Sequence, residues 1–277
     1  PQLFAHSTDP ADTFVELEYY GYPSLSDIFA YDGHGLSAWP HAFRAIGRLL
    51  DEFGSRTERV SPEEARRTLR EMYVDKPIRR LAAVPPSTVA GRALAEPLVI
   101  NGRTHRPVSR YLERLEDAAD AVGALDADSF SIIHGDLCLS NILFDPRSRI
   151  VKVIDPRGSF GDRRLFGDPR YDLAKLSQCF LGGYDAIITN QFFAVAEDRE
   201  YRYDLFRSTR QETIADEFLR LLGVRCGGNL DAVRFIEATL LLSMIPLHAD
   251  TPDRQLVMAL RGIELLHRIF EDHGLAA

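Results

Sequence analysis

The run "TFVELEYY" sets Phe14, Val15 and Leu17 against Glu16 and Glu18, a period-two pattern rich in β-branched and aromatic residues that predicts a strand. "GYPS" follows as a turn, and "LSDIFAY" predicts a short helix capped by Ser24 or Ser26. From Trp39 the period changes. Phe43, Ile46, Leu49, Leu50 and Phe53 recur at helical spacing, with Gly54 as the stop. Ser61-Pro62-Glu63-Glu64 joins a capping box to proline at the first helical position. Residues 84–105 read as loop, with turns at Pro85-Pro86 and "INGRT", and "VSRYLERLEDAADAVGAL" predicts one further helix.

Near residue 130 the texture shifts again. "NILFD", the turn "PRSR" and "IVKVID" predict a β-hairpin inside an otherwise helical chain. Helical patterns then resume in "YDLAKLSQCFLG", "STRQETIADEFLRLLG", "DAVRFIEATLLLSM" and "TPDRQLVMALRGIELLHRIFEDHG". The last of these lines Leu256, Leu260, Ile263, Leu266, Ile269 and Phe270 along one side, an amphipathic packing face. The expected class is α+β, mostly helical, with one small hairpin and no internal repeat.

Composition narrows the function classes. Hydrophobic residues are 45% and charged residues 27% of the 277, ordinary for a globular protein. A net charge of -8 argues against a nucleic-acid partner. The longest apolar run, "ATLLLSMIPL", is too short for a membrane span and contains Pro246. Three widely spaced cysteines exclude a disulfide framework, and with no export signal at the start a cytoplasmic location is expected.

The chemistry concentrates in "SIIHGDLCLSNILFD". An ionised carboxylate inside an apolar run is costly without a partner or a task. If the hairpin forms, Asn141 begins one strand and Asp155 ends the other, with Asp136 on the loop just before. Two carboxylates and an amide oxygen at one open end suit a hard cation such as Mg²⁺, while one carboxylate stays free to accept a proton from a hydroxyl. The bland alternative makes Asp136 and Asn141 turn residues bonded to local backbone. His134-x-Asp136-x-x-x-x-Asn141 followed by Asp155 matches the phosphoryl-transfer arrangement of a base, a metal-binding amide and a second metal-binding acid. That match favours the chemical reading.

"IIHGDLCLSNILF" and "VIDPRGSFGDRRLFGDPRYDLAKL" resemble the catalytic core of the aminoglycoside phosphotransferase and choline kinase family, relatives of protein kinases. In detail they look like a bacterial branch associated with capsule and surface polysaccharide. The resemblance implies a protein-kinase-like fold, represented mainly by its helical C-terminal lobe. It implies ATP and Mg²⁺ as cofactors and a small-molecule hydroxyl acceptor such as a sugar or polysaccharide precursor, aminoglycoside or choline-like compound. Carried over, Asp136 is the base, His134 braces its loop, Asn141 and Asp155 hold Mg²⁺, and Asp172 bonds back to the loop backbone. Glu18, Tyr19 and Tyr20 resemble the hinge that meets adenine. Gly135 stands where protein kinases carry an Arg that answers a phosphorylated loop, and no A-P-E signature follows Asp155, so a small acceptor fits better than a peptide.

Some readings stay open on residues alone. Arg157 is either a phosphate or acidic-substrate contact or an arginine in a surface turn. For Lys76, Arg79 and Arg80 a solvated helix face is the plainer reading than a substrate clamp, and Cys138 reads as packing. The family's glycine-rich loop and strand lysine have no counterpart here, and the chain reads as starting inside a fold. The expected organisation is residues 1–30 as a small-lobe remnant with the hinge, and 31–277 as the helical lobe. A kinase-like binding or regulatory module without turnover is the second functional reading.

Overall fold

Ser24 settles the first helix start. Its Oγ accepts from the Asp27 N–H at 3.0 Å, and the Asp27 carboxylate accepts from the Ser24 N–H at 3.3 Å, a complete capping box for Leu25–Ala30. Ser26 is not a cap; its hydroxyl donates to the buried carboxylate of Asp185. These contacts come from a computed structural model that describes residues 1–31 and 35–275. Among the described residues, Leu3–Ser7 and Phe14–Leu17 pair as an exposed antiparallel ribbon, and the remainder is predominantly helical.

One continuous apolar core joins the helices. Phe29, Trp39, Phe43, Phe180 and Phe218 come from four helices, and their rings meet at centroid separations of 4.6–6.2 Å. Leu230–Met244 packs against Pro252–Asp272 and Pro169–Phe180, and these three form the body on which the site rests. The expected hairpin is present as Ile142–Asp145 paired antiparallel with Ile150–Val153. Phe144 donates its N–H to the Pro23 carbonyl at 3.0 Å, tying the chain before the first helix to the hairpin.

Several expectations need correction. Trp39–Gly54 runs through Gly54 and closes on Ser55. Only the serine half of the Ser61 capping box forms, with Ser61 Oγ accepting from the Glu64 N–H at 3.2 Å. Residues 84–105 are not simply loop. Thr88 caps a helix at Val89–Ala95, and strands Leu98–Ile100 and Arg103–His105 follow, aligned by parallel pairing of Val99 and Ile100 with Glu200 and Tyr201. The single helix over 108–125 is two, Val108–Leu112 and Leu115–Ala121. Arg114 leaves the helical region (φ -121°, ψ 20°), and beyond it Glu116 and Asp120 meet Arg66 and Arg70 at 2.7–3.0 Å. A second hairpin, Phe192–Glu197 with Glu200–Leu205, lies between helical segments where no strand was expected.

His105 ends one of those unexpected strands, buried, with neither ring nitrogen hydrogen-bonded. Burial, followed by the neighbouring His267 and Arg103, brings its pKa from about 6.5 down to about 4. The native state therefore excludes a proton that the unfolded chain accepts. The stabilisation is complete above pH 6.5 and is lost as pH falls towards 4. Urea denaturation at pH 7 and pH 4.5 should show the wild type losing about 2 kcal/mol more than His105→Leu. Equal losses would show that His105 does not carry the acid sensitivity.

Candidate active site

The helix Pro169–Phe180 anchors the site. Asp168 caps it, accepting from the Arg170 N–H at 3.0 Å, and Pro169 occupies its first turn. Asp168 is itself buried and neutralised by the Arg170 guanidinium at 2.9 Å, with the Tyr73 hydroxyl donating at 2.8 Å. Gly167 precedes the cap because no larger residue fits: a Cβ there would sit 2.5 Å from Ile133 Cδ1 and 2.7 Å from Phe160 Cγ.

One turn into this helix, Asp172 accepts two backbone donors, the N–H of His134 at 2.7 Å and of Gly135 at 2.9 Å. Burial raises its carboxyl to about 7 against the pull of those two donors. The His134 ring makes the next ties. Nδ1 accepts from the Asp136 N–H at 3.3 Å, which leaves the proton on Nε2 to donate to the Ile154 carbonyl at 2.9 Å. Burial also lowers the His134 pKa, in keeping with that neutral tautomer. The Arg157 N–H donates to the His134 carbonyl at 2.9 Å and its Nε to the Gly135 carbonyl at 2.9 Å. Gly135 has φ +76°, and an added Cβ would lie 3.0 Å from Arg157 Cβ, so this turn requires glycine.

Asp136 is thus presented by a loop fixed at both ends. Its Oδ1 lies 2.9 Å from Lys175 Nζ and 3.7 Å from the Arg157 guanidinium. Partial burial raises its pKa, but the attraction of Lys175 and then Arg157 outweighs it, and the carboxyl is held below its usual value. Lys175 was not expected as a site residue. It is buried one turn beyond Asp172, and although burial opposes its charge, Asp136 keeps it protonated. A lysine within an otherwise buried stretch of "YDLAKL" was the available signal.

Asn141 closes the short turn Leu139–Asn141 before the hairpin, and its Nδ2 donates to the Asp136 carbonyl at 2.9 Å. That bond commits the amide nitrogen and leaves Oδ1 as the atom that could face a cation. The Ile154 N–H donates to the Asn141 carbonyl at 3.0 Å, so Asp155 follows directly on the residue paired with Asn141. Asp155 is exposed and adopts φ +56°, the left-handed region, where a residue other than glycine is uncommon and costs about 1 kcal/mol. Strain of this kind concentrates at functional sites. The donors are hard oxygens on one hairpin end, and among the described residues no cluster of three His, Cys, Asp or Glu gathers. Such a set fits Mg²⁺ shared with substrate phosphates rather than a closed protein cage.

Among the described residues, Glu18 and Tyr20 bond elsewhere than this cluster. Glu18 accepts from the Gln2 N–H at 3.1 Å and from the Tyr20 hydroxyl at 2.5 Å, and Tyr19 is 90% exposed. Tyr20 stacks on Tyr22 at 5.5 Å and lies under Lys152 Nζ of the hairpin at 5.0 Å. Arg157 is neither a free phosphate contact nor a plain surface arginine; it braces the loop. The basic trio also divides. Arg79 pairs with Glu71, Arg80 donates to the Ser243 carbonyl at 3.2 Å, and Lys76 lines a cavity beside Arg157.

A profile described as "Phosphotransferase enzyme family" (APH) matches residues 40–222. Among curated proteins no match is found. Two solved structures of glucosamine kinase share the fold. One, in complex with glucosamine, ADP and inorganic phosphate, superposes with a TM-score of 0.55 at 14% identity over 95% of this chain and 64% of that one. The other, a second crystal form, gives 0.53 at 13% identity over 90% and 61%. The chain therefore spans less than two thirds of the length of either.

Asp172→Asn tests the anchor. An amide offers one acceptor oxygen to two N–H donors and sets an NH₂ against the second. The variant should lose about 1–3 kcal/mol in urea denaturation and speed amide exchange at Gly135 and Asp136. Wild-type stability and exchange would mean that the loop is held by other contacts.

Proposed function

The chain belongs to the APH phosphotransferase enzyme family, and from that premise we propose that it is an ATP-dependent kinase acting on a hydroxyl of a small molecule. A sugar or polysaccharide precursor is the leading acceptor. The observation that carries the reading is the ionised Asp136, held by Lys175 on a loop pinned by Asp172, beside the oxygen donors of Asn141 and Asp155.

In this reading the acceptor hydroxyl hydrogen-bonds to Asp136, which orients its lone pair towards the γ-phosphorus and takes up its proton as the new O–P bond forms. The bond from that phosphorus to the β–γ bridging oxygen breaks, releasing ADP. Phosphoryl transfer proceeds through a loose transition state in which little proton transfer is needed early, so a carboxylate of lowered pKa suffices and positioning matters more than basicity. Lys175 keeps that carboxylate charged and fixed. Asn141 and Asp155 would hold Mg²⁺, whose chemistry is to neutralise charge on the nucleotide phosphates. Glu18 to Tyr20 would meet the adenine, with the ribbon and residues 1–30 as small-lobe elements beside a helical lobe.

Supporting the small acceptor, residues 156–171 hold three two-residue strands and the start of the helix at Pro169, which leaves little room for a peptide platform. In a coupled assay of ATP consumption, Asp136→Asn should lower turnover about 10²–10⁴-fold while circular dichroism stays native. Asp155→Asn, which leaves the base in place, should instead raise the Mg²⁺ concentration for half-maximal rate at least ~10-fold. Turnover unaffected by Asp136→Asn would refute the mechanism. A wild type that consumes no ATP with sugars, aminoglycosides, choline or nucleosides would favour a binding module.

A further inference from the structure

Lys76 lines a cavity of about 670 Å³ whose wall also includes Arg157, Ser159 and Gly161, and Arg157 connects that wall to the Asp136 loop, bonding the Gly135 carbonyl at 2.9 Å and lying 3.7 Å from Asp136. A π turn just before Pro77 supplies part of the cavity wall. Proline has no N–H for the carbonyl four residues back, and its ring clashes there, so the helix widens to a π turn over Glu71–Asp75. In that turn the Lys76 N–H donates to the Glu71 carbonyl, five residues back. Met72 and Asp75 of this turn and Lys76 just after it all line the cavity.

The charges in this wall do not cancel. Glu71 is paired with Arg79, Asp75 with Arg70 at 2.9 Å, and Asp162 with Arg67 at 3.9 Å. Arg157 shares Asp136 with Lys175. Lys76 is half-buried, and among the described residues no carboxylate lies within ion-pair distance of it. Burial, then Arg157, Arg80 and Lys175, brings its pKa down to about 8, with Glu71 the one group acting the other way. A lysine left without an anion among three cations is a costly arrangement unless a ligand supplies the missing charge.

We propose that the Lys76 cavity is the acceptor subsite and that the acceptor carries an anionic group, a phosphate or carboxylate, which Lys76 receives while the hydroxyl is offered to Asp136. The inference rests on the kinase reading for its meaning as an acceptor site. It separates this chain from an amino-sugar kinase, since a protonated amine would add a further positive charge to the pocket.

Four sugars of one ring type supply the test: glucose, glucosamine, glucose 6-phosphate and glucuronate. Each is titrated calorimetrically into the full chain without nucleotide and followed separately in ATP consumption. At least one of the two anions should bind ~10-fold or more tightly than glucose, with glucosamine weakest. Whichever anion binds tighter identifies phosphate or carboxylate as the recognised group. Lys76→Met should abolish the preference, Lys76→Arg should retain it, and the KM for ATP should change less than about twofold in both. Equal binding of glucose and the anions, or no binding of either anion, would overturn the proposal. So would a Lys76→Met variant whose only defect is a raised KM for ATP, because Lys76 would then serve the nucleotide. Titration needs no turnover, so an inactive protein that still prefers anions counts against the kinase reading alone. An active protein without the preference counts against the anionic acceptor alone.

Discussion

The carboxylate of Asp172 is the contact on which the site depends. Two adjacent backbone N–H groups, those of His134 and Gly135, converge on its two oxygens in the interior, where no water replaces a missing acceptor. An acid buried at this cost must have both oxygens satisfied, and the loop supplies one donor to each. The reverse holds for the loop. With Gly135 at φ +76° it has no regular secondary structure to absorb those N–H groups. Each side meets the other's unsatisfied demand, so the loop geometry is narrowly determined although it is not helical or extended.

From that contact the constraint spreads in two directions. His134 passes it to Ile154 through a single tautomer, and Arg157 returns it to the His134 and Gly135 carbonyls. The segment bearing Asp155 is thereby stitched to the segment bearing Asp136, although eighteen residues of chain separate them. Lys175, on the same helix as Asp172, fixes the Asp136 carboxylate. One helix thus positions the backbone of the loop with one side chain and the acid it presents with another, three residues apart on a common face.

What could be read from the sequence follows from range. Ser24-x-x-Asp27, the Ser61-Pro62 start and the 142–153 hairpin are local signals, and each operates within a few residues. His134, Asp136, Asn141, Asp155 and Asp172 were legible as a set because their spacing forms a motif, though a spacing does not reveal a positive φ at Asp155. The strands at 98–105 and 192–205 were not legible. Val99 and Ile100 pair with residues about a hundred positions away, and "FFAVAE" lacks the polar alternation that marks an exposed strand. Lys175 went unnoticed and Lys76 read most plainly as part of a solvated helix face for a related reason. A lysine's significance lies in its partner, and the partner of Lys175 is 39 residues upstream, while Lys76 has no ion-pair partner among the described residues.

Gly135 shows how the same residue changes meaning between the two levels. On sequence it marks the absence of an arginine that would answer a phosphorylated loop. In three dimensions the space beside it is filled by Arg157, whose Cβ stands 3.0 Å from where a side chain would begin and whose Nε bonds the Gly135 carbonyl. A guanidinium therefore does reach this loop, but it comes from the residue after Asp155-Pro156 and reaches the backbone rather than a phosphorylated residue. Arg157 bonds the loop that carries Asp136 and lies two residues beyond Asp155, so the brace it provides involves no modified residue. In the kinase reading proposed above, a site braced in this way would need no covalent switch to align Asp136 with Asn141 and Asp155, and its selectivity would fall to the cavity wall that Arg157 shares with Lys76.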